Sequence, residues 1–309
     1  ALAQVLGGKV VKQSEFKTAV LALSNGGKLD VVTARSECYP EPAALPVVKP
    51  STISDDLFRR DFTINAVAMR LSPEPAGEIV DPHNGVKDIE KGIIRIFHKK
   101  SFIDDPTRIF RAIRFEQRFD FKLETETARC LKDAVKGKYI EKLSADRLRN
   151  ELVMILREEE PLKSLSRMEK LGCLKCFLPK GMLSAEAFKS VKHGISSIEQ
   201  GKTGLSGEKR WLVYLLCMLD KLDKKTAEEF CDGLRFQSEI KNMVIADKEN
   251  RSSIFKGLSA KNVKPSGVYE LLKPYHEMLL LFWSLRGKNI GQKIDSYLVN
   301  WSKVEIETD

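Results

Sequence analysis

Alternating apolar and polar residues run through the first 35 positions of the chain and predict short β-strands. Three strands rich in aliphatic and β-branched residues are predicted: residues 9–11, 18–23 and 29–33. Asn25, Gly26 and Gly27 separate the last two strands and supply the positive φ angles of a tight hairpin turn. In the third strand Asp30 lies on the face opposite Leu29. Asp30 is either a functional carboxylate beside a Gly-rich turn or part of the polar face of an edge strand.

The next segment, residues 37–50, contains four prolines. We predict a loop here, because proline has no backbone N–H and does not fit a regular element. A loop of this length is either mobile or functional.

After residue 100 the apolar residues recur with the period of a helix. A helix start is predicted at residues 104–107, with an Asp at the N-cap and Pro106 at the first helical position. Ile109, Ala112 and Ile113 then form an apolar face. Four arginines share the other side: Arg108, Arg111, Arg114 and Arg118. We therefore expect one face to pack and the other to be cationic.

Helical spacing of apolar residues continues toward the end of the chain. Helices are predicted over residues 144–157, 161–171, 185–198, 209–222, 224–234, 267–272 and 275–285. Together with the N-terminal strands, this pattern predicts an α+β protein in which a small head precedes an all-helical body. No apolar run reaches the roughly 18 residues that a membrane-spanning helix requires.

The charge and composition of the chain indicate what kind of partner it binds. The 309 residues carry 52 Lys and Arg against 43 Asp and Glu, and the formal net charge of +9 indicates an anionic partner. The length suggests about two domains. Six cysteines form no cluster of the secreted type, which favours a reduced, cytoplasmic protein. Since the chain begins at Ala1 rather than Met, we expect a fragment of a longer protein.

The densest group of polar residues lies in residues 55–66. Arg59, Arg60, Asp61 and Asn65 place two guanidinium groups, a carboxylate and an amide within seven positions. Two interpretations stay open. The arginines can clamp a polyphosphate while Asp61 accepts from a ribose hydroxyl. Alternatively the charges form a surface ion-pair network, which composition alone favours.

Asp105 and Arg108 form a second candidate pair. They are either an N-cap with its i,i+3 partner, or an acceptor and paired donors that complement the edge of a base, and both descriptions can hold together. His83 is interpreted as a turn residue, and Cys173 and Cys176 as packing residues, because none has further ligands at metal-site spacing.

Four segments resemble, in order and spacing, the motifs of class II tRNA nucleotidyltransferases: residues 57–66, 81–95, 104–119 and 144–152. This family comprises CCA-adding enzymes with their CC-adding, A-adding and bacterial poly(A) polymerase relatives. The resemblance covers about residues 1–180. It implies three parts: a polymerase-β-like nucleotidyltransferase head (1–100), a helical neck with the nucleotide-templating helix (101–160), and a helical body and tail (161–309) that hold the tRNA acceptor arm and 3′ end.

The resemblance also implies roles for the residues already singled out. Arg59, Arg60, Asp61 and Asn65 would bind the nucleotide, with Asp61 at the ribose and the arginines near the phosphates. Asp105 and Arg108 would template the base of CTP or ATP. Arg111 and Arg114 would support that pocket, and Arg149 and Glu151 would brace the neck against the body. Residues 37–50 resemble the flexible loop that the family associates with the switch to adding A.

One departure from the family concerns the catalytic carboxylates. Members carry a Gly-Gly-x-Val-Arg-Asp segment and then Asp-x-Asp, and neither occurs in this sequence. We expect that segment upstream of Ala1, and Asp30 then corresponds to the third carboxylate that binds the catalytic Mg²⁺ ions. The reaction implied is two-metal nucleotidyl transfer, which this chain alone would barely catalyse. A non-catalytic RNA-binding module is the alternative, and CCA, CC, A and poly(A) addition stay open.

Overall fold

The computed structural model describes residues 2–13, 18–178, 182, 186, 209–260, 263–286 and 288–302. The chain divides into two compact units, Ala1–Lys142 and Leu143–Asp309. The boundary between the units falls inside the segment predicted as the neck. The three-part division into head, neck and body stays a prediction.

Unit 1 opens with a three-stranded antiparallel sheet that confirms the predicted strands. A short helix α1 (Leu2–Val5) precedes strands β1 (Lys9–Gln13), β2 (Thr18–Ala22) and β3 (Lys28–Val32), in the order β1-β2-β3. The turn before β3 contains Gly26 at φ +81°, a conformation that favours glycine. Lys12 pairs with Val20, and Val20 pairs with Asp30, so these side chains share one face.

The loop prediction for residues 37–50 is wrong at both ends. Strand β4 (Arg35–Cys38) pairs antiparallel with β5 (Val47–Pro50). Three of the four prolines lie in the connection and the fourth ends β5, where a missing N–H is tolerated. The connection is held in place by the backbone N–H of Ala43, which donates to the carbonyl oxygen of Asp104 at 3.1 Å.

Besides these strands, the described part of unit 1 contains one long helix, α5 (Thr107–Phe119), and eight further elements. They are α2 (Ile53–Phe58), β6 (Ala68–Met69), β7 (Ile79–Val80), α3 (Gly85–Glu90), β8 (Ile93–Ile94), α4 (Ser101–Asp104), β9 (Lys122–Leu123) and α6 (Thr125–Lys136). Single 3-10 turns occur at Thr63–Asn65 and Tyr139–Lys142. Phe62, Phe102 and Phe110 are fully buried against α5 or within it, so the core of this unit lies here rather than at the sheet.

The predicted start of α5 needs one correction. Asp104 ends α4, and Asp105 is the carboxylate at the start of α5, as predicted, because its Oδ1 accepts from the backbone N–H of Thr107 at 3.1 Å. Proline precedes the first helical residue, Thr107, instead of occupying it. Two of the four arginines on the cationic face are buried, since Arg108 and Arg114 are only 5% and 7% exposed.

Unit 2 is helical throughout the part that is described. Its helices are α7 (Ala145–Leu156), α8 (Pro161–Leu171), α9 (Arg210–Leu219), α10 (Lys224–Gly233), α11 (Ser238–Ser259), α12 (Pro265–Leu272), α13 (Glu277–Ser284) and α14 (Lys288–Ser296), with a 3-10 turn at Leu174–Cys176 and a π-helical turn at Tyr297–Trp301. Six of the predicted helices are confirmed. The predicted helix over residues 185–198 lies outside the described residues. Apolar positions are sparse in α11, which is why the sequence pattern did not predict it.

A buried ionic cluster ties three helices of unit 2 together. Asp247 on α11 is 1% exposed and accepts from Trp283 Nε1 at 2.7 Å and from Arg251 Nε at 2.9 Å. Arg251 also pairs with Asp220, immediately after α9, at 2.7 Å. Across the described parts of both units, no helix combines the length and the apolar character needed to cross a bilayer.

Candidate functional site

Asp61 is held from three sides in unit 1. It is 8% exposed, and its Oδ1 accepts from the backbone N–H of Phe62 and from Asn65 Nδ2, each at 2.9 Å. Its Oδ2 accepts from Arg111 Nε at 2.7 Å. Arg111 Nη2 also lies 2.7 Å from Oδ2, so two nitrogens of one guanidinium group face this oxygen. The structure therefore brings Asp61, Asn65 and Arg111 together, although 46 residues separate the last two in sequence.

Arg108 contacts the segment that precedes Asp61, and its guanidinium group donates hydrogen bonds to oxygen acceptors. One Nη donates to Ser101 Oγ at 2.7 Å, and the other donates to the backbone carbonyl oxygen of Arg59 at 3.0 Å. The second Nη also lies 3.4 Å from the Tyr39 hydroxyl oxygen. These acceptors are neutral, so they do not compensate the positive charge of the buried guanidinium group. The position therefore favours an electronegative ligand.

Asp105 lies one turn before Arg108 and is occupied in part by its capping role. Its Oδ1 accepts from the Thr107 hydroxyl at 2.6 Å as well as from the Thr107 backbone. The capping contacts fix the carboxylate in place, and its role in base recognition stays a prediction.

Arg59 and Arg60 form an ion-pair network in the structure. Both bind Asp56, which is 3% exposed: Arg59 reaches Oδ1 at 2.7 Å and Arg60 reaches Oδ2 at 2.9 Å. Arg59 also pairs with Glu37 at 2.9 Å. Burial opposes ionisation of Asp56, but hydrogen bonds from Arg60 and Arg59 outweigh it and hold the pKa of this carboxyl below its usual value. A phosphate would have to compete with these carboxylates for the two arginines.

Arg111 and Arg114 are organised by one aromatic ring. Their guanidinium carbons lie 5.5 and 5.6 Å from the centre of the Phe115 ring, within the range of a cation–π interaction. Phe115 itself packs edge-on against Phe62, the residue that follows Asp61. These contacts orient both arginines, and their supporting role in the nucleotide pocket stays a prediction.

Asp30 lies apart from these residues, on the exposed face of β3. It lines a cavity of about 440 Å³ together with Lys12, Thr18 and Arg35. No described contact joins it to Asp61 or Arg108. Within the described ranges, no three His, Cys, Asp or Glu side chains are arranged to hold a metal ion. Asp30 alone therefore does not make a complete site for Mg²⁺.

Sequence reasoning missed four residues that complete the candidate site. These are Glu37, Tyr39, Asp56 and Ser101. Glu37 and Tyr39 fell in the segment predicted as a loop, where no contact can be derived from a pattern. Burial, partly offset by the Arg108 guanidinium, raises the pKa of Tyr39 to about 12, so its hydroxyl stays protonated near neutral pH. The adjacent acidic positions 55 and 56 in the sequence were the one available signal for Asp56.

Other residues singled out in the sequence have structural surroundings. His83 packs edge-on against Phe97, with ring centres 4.8 Å apart. Cys173 is 1% exposed and lies against the carbonyl oxygen of Met168. Arg149 donates to the carbonyl oxygen of Leu234 at 3.2 Å, so it braces α7 against the end of α10 within unit 2. Glu151 is buried in α7.

Comparison with known proteins places this geometry in a family. Residues 1–95 match the family described as the Poly A polymerase head domain, and residues 120–182 match the probable RNA- and SrmB-binding site of polymerase A. A solved CCA-adding enzyme in an apo form has the same fold at a TM-score of 0.78. That structure is 36% identical in sequence, and the match covers 100% of this chain and 73% of that one. The chain belongs to the class II tRNA nucleotidyltransferases.

Curated members of the family give the same result. An A-adding tRNA nucleotidyltransferase of Geobacter sulfurreducens is 35% identical over 91% of this chain and 33% of its own length. The A-adding tRNA nucleotidyltransferase of Aquifex aeolicus is 34% identical over 99% of this chain and 37% of its own length. This chain therefore spans about a third of the length of these two relatives. The family assignment made from the four sequence motifs is confirmed, as is the α+β fold.

Proposed function

We propose that this protein adds CMP and/or AMP, from CTP or ATP, to the 3′ end of tRNA. The observation that carries the proposal is the placement of Arg108. Its buried guanidinium group is fixed by Ser101 and by the backbone of Arg59, beside Asp105 and next to the Asp61 segment. Acceptor and donors in fixed positions are what reading the edge of a base requires.

In this proposal, different residues contact different parts of the nucleotide. Asp61, held by Asn65 and Arg111, accepts from a ribose hydroxyl. Asp105 and Arg108 read the base, while Arg111 and Arg114 keep the pocket in shape. Arg59 and Arg60 exchange their contacts with Asp56 and Glu37 for phosphate oxygens.

Metal ions enter the proposal only through Asp30. The family generally uses nucleotide substrates and a divalent metal ion, and Mg²⁺ is the ion we propose. Asp30 would supply one carboxylate ligand. One exposed carboxylate does not hold the ion by itself, so this chain should bind nucleotide and RNA while catalysing little. A cytoplasmic location stays a prediction from the sequence.

AMP is the nucleotide we expect to be added. The two relatives that align with 91% and 99% of the chain are both named as A-adding enzymes. CC addition, complete CCA addition and poly(A) synthesis are the alternatives within the family. A non-catalytic RNA-binding module that retains the pocket is the alternative outside it.

Nucleotide addition to defined tRNA ends tests the proposal. The full-length gene product is incubated with tRNA that ends before the CCA, after C or after CC, and each nucleotide is supplied separately. We expect AMP to be added to the tRNA ending in CC. Addition of CMP alone would identify a CC-adding enzyme, and absence of any addition would favour the RNA-binding module.

Binding of ATP and CTP to the 309-residue chain supplies a second test. Arg108→Ala should weaken binding, whereas Arg129→Ala should not, because Arg129 lies exposed on α6 and pairs with Glu126. Equal behaviour of the two variants would contradict the assignment of the pocket.

A further inference from the structure

Three lysines share one face of the N-terminal sheet with Asp30. Lys9 pairs with Ala22 and Ala22 with Lys28, while Lys12 pairs with Val20 and Val20 with Asp30. Directly opposed residues of an antiparallel sheet point to the same side. Lys9, Lys12, Lys28 and Asp30 therefore project from one face.

A β-bulge is responsible for this arrangement. Residues three apart in a regular strand point to opposite faces, so alternation would separate Lys9 from Lys12. The register shifts between Val10 and Lys12, which inserts one extra residue and returns Lys12 to the face of Lys9. All three lysines are exposed as a result.

These charges differ from the others around the candidate site. Arg35, Arg59, Arg60, Arg95 and Arg111 each form an ion pair with a carboxylate. By contrast, no carboxylate lies within ion-pair distance of Lys9, Lys12 or Lys28 among the described residues, and Asp30 has no cationic partner there either. The face thus carries three positive charges and one negative charge that do not neutralise each other in contact. Such a surface attracts a polyanion.

We propose that this face binds the phosphate backbone of the RNA strand whose 3′ end is extended. The inference rests on the proposed function and names a binding surface for its RNA. Lys12 and Lys28 would each contact a phosphate on either side of Asp30, and the Thr18 hydroxyl in the adjoining cavity would donate a further hydrogen bond.

The spacing of the lysines favours a strand over a single triphosphate. Lys12 lies two strands from Asp30, roughly 10 Å away at the backbone, and Lys28 lies two residues along β3, roughly 7 Å away. Charges spread over such distances match phosphates that follow one another along a chain. The phosphates of one nucleotide lie next to one another and would occupy a smaller part of this face.

The salt dependence of tRNA binding tests this surface. The affinity of the 309-residue chain for tRNA lacking CCA is measured by fluorescence anisotropy at salt concentrations from about 50 to about 300 mM. Over this range counterion release dominates the salt dependence of binding. Wild type is compared with the double variant Lys12→Gln/Lys28→Gln. Lys87→Gln/Lys91→Gln is the matched control, since both lysines are exposed in unit 1 and have no ion-pair partner in its described part.

We expect the double variant to bind tRNA on the order of ten-fold to a hundred-fold more weakly at low salt. The slope of log affinity against log salt should fall by about 2, one for each lost phosphate contact. The control should keep the wild-type slope, and Lys12→Arg/Lys28→Arg should restore it. Circular dichroism verifies that each variant is folded.

Other outcomes would overturn the inference. An unchanged slope in the double variant would show that this face does not bind RNA, while the proposed function would still hold. Weaker ATP binding with unchanged tRNA binding assigns the lysines to the nucleotide instead. If wild type binds neither tRNA nor nucleotide, the proposed function fails as well, which separates the two failures.

Discussion

The guanidinium group of Arg108 donates a hydrogen bond to the backbone carbonyl oxygen of Arg59 across 3.0 Å. This contact joins α5 to the segment that carries Asp61, although the two residues are 49 positions apart in sequence. The bond therefore links the residues proposed to read the base to the segment of the carboxylate proposed to bind the ribose. A substitution in either segment should therefore be felt in the other.

Replacing Arg108 tests base selection. Arg108→Ala removes the paired donors, and we expect the preference between CTP and ATP to fall by roughly 5- to 150-fold, the equivalent of about 1–3 kcal/mol for a bidentate contact to a base. Arg108→Lys keeps the charge without the planar fork and should also lose most of the preference. Competition binding with the two nucleotides measures it. An unchanged preference in Arg108→Ala would contradict templating by this residue.

The ion pair between Asp61 and Arg111 can be tested without any ligand. Arg111→Ala removes a charge-assisted hydrogen bond to a buried carboxylate. Since Arg111 is about one third exposed, we expect the low end of the usual range, about 1.5 kcal/mol. Hydrogen exchange in the peptide 57–66 should accelerate on the order of ten-fold, which mass spectrometry detects. Arg129→Ala is the control, and equal exchange in both variants would show that the pair does not hold this segment.

Among the charged residues described in unit 2, Asp247 should contribute most to the free energy of unfolding. Asp247→Ala removes the acceptor that Arg251 and Trp283 share. Because Arg251 keeps its pair with Asp220, we expect the low end of the range for breaking a buried ion pair, about 3 kcal/mol. Trp283→Phe removes one hydrogen bond and should cost about 1 kcal/mol. Asp232→Ala, which breaks an exposed pair with Lys241, should cost less than about 1 kcal/mol. Urea unfolding monitored by far-UV circular dichroism gives the order of the three losses in stability. A small effect of Asp247→Ala would contradict the expected order.

Thiol reactivity should separate the cysteines by burial. Burial raises the pKa of the Cys173, Cys217 and Cys231 thiols to about 12, so at pH 8 almost none of each exists as the reactive thiolate. Cys38 is exposed and should react with a thiol reagent within minutes. Mass spectrometry of the modified protein identifies the sites. The buried cysteines should react only after denaturation, and fast labelling of Cys217 in the folded protein would rule out this packing.

Much of the fold could be predicted because the elements depend on local pattern. The hairpin around Gly26 and the helices at residues 144–157 and 161–171 follow from turn chemistry, capping residues and apolar spacing. Helix α11 could not be predicted, because its apolar positions are too sparse to give a clear period. The hairpin of β4 and β5 was missed because a proline at the end of β5 and three in the connection look the same as prolines in a loop.

The sequence by itself determined the family, through four motifs in a fixed order, and with it the chemical types present: paired arginines, a capping carboxylate and a basic helix. Tertiary structure alone decided which of these residues meet. Arg108 and Arg114 are buried although helical spacing placed them on a cationic side, and Arg59 is bound by carboxylates that lie 3 and 22 positions away. Local pattern records periodicity along one element, whereas contacts between distant segments, and the bulge that unites Lys9 with Lys12, depend on how the whole chain packs.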